Sequence, residues 1–172
     1  LSIFGDHQDI YAARQTGFAI LASSSVQECM DLTAVSYLST IKGSVPFVNF
    51  NDGFRTSHEL QKIDVLDMDK VYELIDQKAL SDFRNRALNP INPVTRGTSQ
   101  NEDIYFQVTE ARNEYYNKLP DIVSSYMDEI NKITGQNYKP FNYYGSATAT
   151  KVIVAMGSVC ETIKETVDFL TK

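Results

Sequence analysis

The chain has 172 residues, 42% of them hydrophobic and 22% charged, the balance of a soluble globular protein with room for one ordinary domain or one domain and part of a second. Asp plus Glu outnumber Lys plus Arg by 22 to 16, and the net charge of -6 disfavours nucleic acid or an anionic membrane as main partner, since both require a phosphate-neutralising surface. No apolar run approaches the ~18–20 residues of a membrane span, and no basic segment precedes an apolar one as in a secretory signal. The two cysteines, Cys29 and Cys160, supply neither a disulfide framework nor a zinc or iron–sulfur ligand set by themselves, and a reduced intracellular compartment is the default.

In chain order, Leu1-Ser2-Ile3-Phe4 reads as a buried strand closed by Gly5-Asp6-His7, with a short helix from Gln8 to Gln15 stopped at Gly17. Phe18 to Ala22 is a second strand-like run. Ser25 and Glu28 then form a capping box, in which the hydroxyl takes the N3 amide and the carboxylate reaches back. Behind it, Val26, Met30, Ala34, Tyr37 and Ile41 recur at helical spacing, and Lys42 with Gly43 marks the end. Val45 to Phe50 is the third strand, with Pro46 near its start, where a missing N–H costs least. Strand, helix, strand, helix, strand implies a parallel sheet with right-handed crossovers.

Asn51-Asp52-Gly53 is a turn signal, and Thr56 with Glu59 is a second capping box. Helical patterns follow through Val65, Met68, Tyr72 and Ile75, then Ala79, Leu80 and Phe83, until Asn89-Pro90-Ile91-Asn92-Pro93 breaks them. Asn89 to Asn113 reads as a long, mostly irregular connection, a kind of segment that usually has a job. Leu119 to Ile133 is a clear helix with Pro120 near its start, Ile122, Tyr126, Ile130 and Ile133 on one face, and Gly135 as its cap. Gln136 to Ser146 is polar and aromatic, a candidate domain boundary. Lys151 to Met156 reads as a fresh strand. Gly157 turns the chain, Ser158 with Glu161 makes a third capping box, and Val159, Ile163, Val167 and Leu170 line a helix face. About 22 residues cannot form an independent core. This layer therefore either returns to the first sheet or opens a domain that continues elsewhere. The apolar start at Leu1 and the end at Lys172, where a helical pattern has barely finished, read as cut ends.

Two loops carry candidate site residues. Gly5-Asp6-His7-Gln8-Asp9 follows the carboxyl end of the first strand, the edge where parallel α/β sheets bind ligands. His7 there could donate to a phosphate or a carbonyl; the competing reading, which spacing alone favours, is a surface histidine beside an Asp that caps the helix. Asn51 to Glu59 occupies the same position after the third strand. Arg55 can pair with a carboxylate or phosphate, and the amides after Thr56 favour anions; a local turn with a capped helix weighs about equally. Both histidines of the chain, His7 and His58, lie in these loops, which tips the reading toward a site, although His58-Glu59 lacks the spacing of a zinc helix. Gly157-Ser158 resembles a phosphate-binding turn but lacks the glycine-rich motifs, and a capped helix is the better reading. Cys160, in a first helical turn, has a position that lowers a thiol pKa, although packing is the commoner role for both cysteines. Tyr115, Tyr116, Tyr143 and Tyr144 suit packing or an interface. No Ser–His–Asp order, nucleophile elbow or carboxylate dyad is identifiable.

From Leu1-Ser2-Ile3-Phe4-Gly5-Asp6-His7-Gln8-Asp9, through Ala12-Ala13-Arg14-Gln15-Thr16-Gly17-Phe18 and Ala22-Ser23-Ser24-Ser25-Val26-Gln27-Glu28, the sequence resembles the pyruvate:ferredoxin (flavodoxin) oxidoreductase family. The resemblance is strongest at Asp52-Gly53-Phe54-Arg55-Thr56-Ser57-His58-Glu59. It resumes at Arg96-Gly97-Thr98-Ser99-Gln100-Asn101 and closes at Val154-Ala155-Met156-Gly157-Ser158-Val159-Cys160-Glu161-Thr162. It covers essentially the whole chain.

The resemblance implies an internal fragment of a several-fold longer polypeptide. Residues 1–137 would be the latter part of the pyrimidine-binding domain of a thiamine-diphosphate-binding α/β fold, and residues 138–172 the start of a second, transketolase C-terminal-like α/β domain. It implies oxidative decarboxylation of pyruvate with coenzyme A, electrons passing to ferredoxin or flavodoxin, and thiamine diphosphate, Mg2+ and [4Fe–4S] clusters as cofactors. It further implies a homodimer and a cytoplasmic location, or a hydrogenosomal one in an anaerobic protist. The family's catalytic glutamate, pyruvate-binding Thr and Arg, diphosphate motif and cluster cysteines would all lie outside this sequence; Asn51-Asp52-Gly53 is not that motif. No catalytic residue and no metal ligand is therefore assigned, and His7, Asp52, Arg55 and His58 are expected only to line the site or an interdomain contact. The competing expectation is a self-contained flavodoxin-like or receiver-like binding module. A third keeps the enzyme but passes electrons to a fused flavin reductase domain.

Overall fold

The computed structural model describes residues 3, 5–95 and 99–172. Among them the elements run α1 (Gln8–Ala13), β1 (Ala19–Ala22), α2 (Val26–Gly43), β2 (Phe47–Phe50), a single 3-10 turn (Thr56–His58), α3 (Met68–Glu73), α4 (Gln77–Asn85), α5 (Glu102–Ala111), α6 (Asn113–Thr134) and α7 (Val159–Thr171). The two strands pair in parallel, Ala19 beside Phe47 and Ala22 beside Phe50, with α2 as the crossover. This is the βαβ unit that the alternation of strand and helix signals predicts. The strand expected over 1–4 falls largely on Leu1, Ser2 and Phe4, which lie outside the described residues; Ile3 is in a turn and exposed.

α2 is the central element. Leu32, Val35 and Leu38 are buried, and they pack with Leu119, Val123, Tyr126, Met127 and Ile130 of α6, while Met30 and Ala34 pack against the same core from its margin. The predicted apolar face therefore needs correction at Tyr37, which is 69% exposed. Sheet and α6 cover α2 from two sides, so its buried surface is wider than one stripe and includes Asp31, Ser36 and Ser39. Its start is as expected in part. The Ser25 hydroxyl accepts from the Glu28 amide, but the Glu28 carboxylate reaches one residue further back, accepting from the Ser24 amide at 2.6 Å and the Ser24 hydroxyl at 2.8 Å.

The helix end is also displaced from expectation. Gly43 is the last helical residue, and Ser44 (φ 54°) takes the left-handed cap. The reason for glycine at 43 is packing: a Cβ there would lie 2.8 Å from Leu119 Cδ1. α6 begins at Asn113, earlier than predicted, so Pro120 lies inside it and not in its first turn. Gly135 caps it with φ 74°, donating to the Asn131 carbonyl, as predicted.

Three further expectations are corrected. Asn89 to Asn113 is not all loop: α5 occupies Glu102–Ala111, with Glu102 and Asp103 in its first turn complementing the helix dipole. Lys151 to Met156 forms no strand. Val152, Ile153 and Val154 are exposed and no described neighbour pairs with them, and a strand without a ladder partner is not stable. The capping boxes at Thr56/Glu59 and Ser158/Glu161 do not form. Thr56–His58 is one 3-10 turn, and Ser158 has helical dihedrals with no side-chain cap.

One buried polar network closes the core. Tyr138 Oη donates to Asp31 Oδ2 at 2.6 Å, and Gln27 Nε2 donates to both Asp31 oxygens at 3.1 and 3.0 Å. Gln27 also exchanges hydrogen bonds with the Asp64 backbone, which ties the 59–67 segment to α2. The Asn131 side chain clamps the backbone of Tyr138 on both its N–H and its C=O. Burial, followed by the hydrogen bond to Asp31, pushes the Tyr138 phenol far above its usual range.

Candidate functional site

The carboxyl ends of β1 and β2 lie side by side, and each strand hands the chain to a polar turn. After β1, the Ser23 hydroxyl donates to Asn49 Oδ1 at 3.1 Å, and Asn49 Nδ2 donates in turn to Thr33 Oγ1 at 2.8 Å. Just beyond β2, Asn51 Nδ2 donates to Cys29 Sγ at 3.0 Å. The ends of both strands are thus hydrogen-bonded to each other and to the N-terminal half of α2.

Asp52 is the centre of the loop that follows β2. Its side chain is 3% exposed. The Ser158 amide donates to Oδ2 at 2.5 Å, across 106 positions of sequence. His7 Nε2 approaches Oδ1 at 3.2 Å without hydrogen-bond alignment, so that buried oxygen is left with no aligned donor. Phe50 meets the His7 ring edge-on at 5.5 Å, which holds the imidazole against β2. Beside the pair is a cleft of about 150 Å3 lined by Asp6, His7, Asp9, Ile10, Phe50, Asn51 and Gly53. Asp6 accepts from the Gln8 amide at 2.9 Å, so the carboxylate before α1 braces the helix start, as expected of an Asp there, while His7 is largely buried and not a surface histidine.

The structure brings together two of the four predicted residues, His7 and Asp52, and leaves Arg55 and His58 exposed on the outer side of the loop. His58 Nδ1 is 2.9 Å from Ser57 Oγ and its ring lies 5.3 Å from Phe54. The expected turn forms, spanning 53–55, and within it Phe54 takes the left-handed conformation at φ 67°, an unusual place for a bulky side chain. The Ser57 hydroxyl accepts from the Phe54 amide at 2.8 Å and helps hold it there. Thr56 Oγ1 is buried beneath the loop without a partner.

Sequence reasoning missed the role of Gly157-Ser158, which closes over Asp52. Its signal was the glycine itself: Gly157 has φ 79°, and a Cβ there would come within 2.7 Å of Asp52 Oδ1. Of the two readings of Cys160, packing is the favoured one over a thiol activated by the helix start, and burial decides its titration. The thiol pKa is raised, by burial first and then by the nearby Glu28 carboxylate, which outweigh Lys164. Three of the four singled-out tyrosines are tethers: Tyr116 donates to the Gly17 carbonyl at 2.7 Å, Tyr144 to Asp168 Oδ1 at 2.6 Å, and Tyr143 to the Ser146 carbonyl.

The donor set on this edge does not fit a diphosphate group. The cleft is lined by Asp6 and Asp9, and the amide at the start of α7, the position an anion would take, already donates to Asp52.

The open, parallel βαβ unit places the chain in the α/β class, whose sheets bind ligands at the strand carboxyl ends when they bind them. Residues 1–128 match the family described as pyruvate flavodoxin/ferredoxin oxidoreductase, thiamine diphosphate-binding, and the chain belongs to that family. It is 60% identical over 170 residues to the pyruvate-flavodoxin oxidoreductase of Enterobacter agglomerans, covering 99% of this chain and 14% of the relative. It is 56% identical over 172 residues to the pyruvate:ferredoxin oxidoreductase of Moorella thermoacetica, covering all of this chain and 15% of that protein. A pyruvate dehydrogenase [NADP(+)] of Cryptosporidium parvum is 55% identical over 170 residues, covering 99% of this chain and 9% of the relative. The chain thus spans about one-seventh of the length of the first two relatives. The self-contained flavodoxin-like or receiver-like module finds no support beside this family membership. Of the motif around Arg96, residues Arg96, Gly97 and Thr98 lie outside the described residues.

Proposed function

We propose that the chain is part of a 2-oxo acid oxidoreductase that oxidatively decarboxylates pyruvate with coenzyme A, giving acetyl-CoA and CO2, and passes the electrons to ferredoxin or flavodoxin. The observation that carries this reading is the family match over residues 1–128 together with 56–60% identity to pyruvate oxidoreductases along the whole chain. In it, residues 1–137 are the latter part of the pyrimidine-binding domain and residues 138–172 begin a transketolase C-terminal-like domain. Tyr138 supports a boundary near there: it is the last residue of the buried core, and most of the chain beyond it is exposed.

Thiamine diphosphate, Mg2+ and [4Fe–4S] clusters are cofactors of the complete, homodimeric, cytoplasmic enzyme and are held by residues outside this chain. The chain's own contribution is scaffold. His7 and Asp52 brace the sheet's carboxyl edge, while Arg55 and His58 stand exposed where another part of the enzyme would meet it. A second acceptor, NADP+ through a fused reductase, is favoured by the name of the Cryptosporidium parvum relative.

The test is anaerobic assay of the full-length polypeptide. Pyruvate- and coenzyme-A-dependent reduction of methyl viologen is expected. A preference for 2-oxoglutarate would overturn the substrate, and absence of any 2-oxo acid oxidation would overturn the reading. Reduction of NADP+ in the same assay would select the second acceptor.

A further inference from the structure

The two buried carboxylates among the described residues are held in different ways. Asp31 is enclosed by Tyr138 and Gln27 within the core. Asp52 takes its partners from two distant stretches, His7 ahead of β1 and Ser158 far downstream. The stretches meet it at glycines in left-handed conformations. Gly5 (φ 84°) places its Cβ direction 3.9 Å from the carboxylate, and Gly157 (φ 79°) leaves no room for a Cβ at all.

α7, which starts at this contact, has no buried residue. Its described polar ties outside itself are the Ser158 amide on Asp52 and Asp168 on Tyr144, the latter within the same outer segment. A buried carboxylate facing the positive end of a 13-residue helix is a charge-assisted contact, the strong kind.

We infer that Asp52 is a latch: its carboxylate fastens the start of α7 and the His7 loop to the carboxyl end of β2, coupling the outer segment to the sheet's polar edge. The latch follows from this geometry alone and does not rest on the reaction assigned above. Asp52→Ala removes the acceptor. Gly157→Ala attacks the same contact from the other side, because its Cβ would meet Oδ1 at 2.7 Å.

The experiment is hydrogen exchange by mass spectrometry on the full-length polypeptide. In Asp52→Ala, amides from Ser158 to Thr162 are expected to exchange about tenfold faster or more, with α2 and β2 unchanged. Gly157→Ala is expected to give the same local pattern. The double variant should exchange no faster there than Asp52→Ala alone, since both changes break one contact. Asp52→Asn, which keeps an acceptor oxygen but not the charge, should fall between the native protein and Asp52→Ala. Unchanged exchange at 158–162 in both single variants would overturn the latch. So would additive effects in the double variant, or a loss of protection in α2 as large as that in α7 in both single variants.

Discussion

The region around Asp31 and the region around Asp52 solve the same problem to different depths. Each buries a carboxylate and joins stretches more than a hundred residues apart, Asp31 to Tyr138 and Asp52 to Ser158. Around Asp31 every oxygen is hydrogen-bonded, and the surroundings are the α2–α6 core with Val35 and Ile130 fully buried. Around Asp52 one oxygen has no aligned donor, and the helix it holds buries nothing. The first region owes its stability to apolar packing, with the polar network fixing which segments meet. The second owes its placement to a single carboxylate. α6 and α7 are similarly amphipathic, so an apolar stripe by itself does not decide burial; a partner surface does.

The largest expected effect lies in the core. Ile130→Ala should cost about 2–5 kcal/mol in urea denaturation, the range for truncating a fully buried aliphatic side chain. A cost under about 1 kcal/mol would mean that the α2–α6 interface is not the seat of stability.

Next comes Tyr138→Phe, which removes a hydrogen bond to a buried carboxylate and should cost about 1.5–3 kcal/mol. The same residue sets an alkaline limit. Its phenol pKa is raised on folding, so the neutral form is favoured in the folded state. Its contribution is complete below the ordinary tyrosine pKa of about 10 and declines as pH rises above that, because the unfolded chain then loses its proton first. The pH dependence of urea midpoints should therefore flatten above about pH 10 in the phenylalanine variant relative to the parent. Identical alkaline slopes would separate Tyr138 from Asp31.

Smaller still is Gly135→Ala at the end of α6. The glycine has φ 74° and open space around it, so the substitution should cost only the left-handed strain, about 1–2 kcal/mol. The smallest effect belongs to the outer region. Phe169→Ser on α7, at a residue 78% exposed, should change stability by less than about 0.5 kcal/mol. A loss rivalling that of Ile130→Ala would erase the contrast between the two regions.

Much of the first region was legible from local signals. Ser25 and Gly135 mark helix ends because capping is local chemistry, and Phe18–Ala22 and Val45–Phe50 mark strands because both runs are short, apolar and bounded by turn residues. What was not legible depended on partners distant in sequence. Gly43 reads as a cap, but its glycine serves the approach of Leu119; Tyr37 fits a helical stripe, but faces away from both covering layers. Lys151–Met156 has strand-like residues and no strand beside it. At the candidate site, loop position after each strand singled out His7 and Asp52, which do meet. Nothing local distinguished them from Arg55 and His58, which stay exposed, or announced that Ser158 would complete the contact.

On the proposed function, this chain supplies scaffold to a thiamine-dependent enzyme and does not itself hold the cofactor. Calorimetric titration of the isolated 172 residues with thiamine diphosphate and Mg2+ tests it most directly, once cooperative urea unfolding has established that the chain is folded. No saturable heat is expected at millimolar cofactor with a folded chain. Micromolar binding that survives in that chain would contradict it and would return the diphosphate to the edge that Asp52 now occupies.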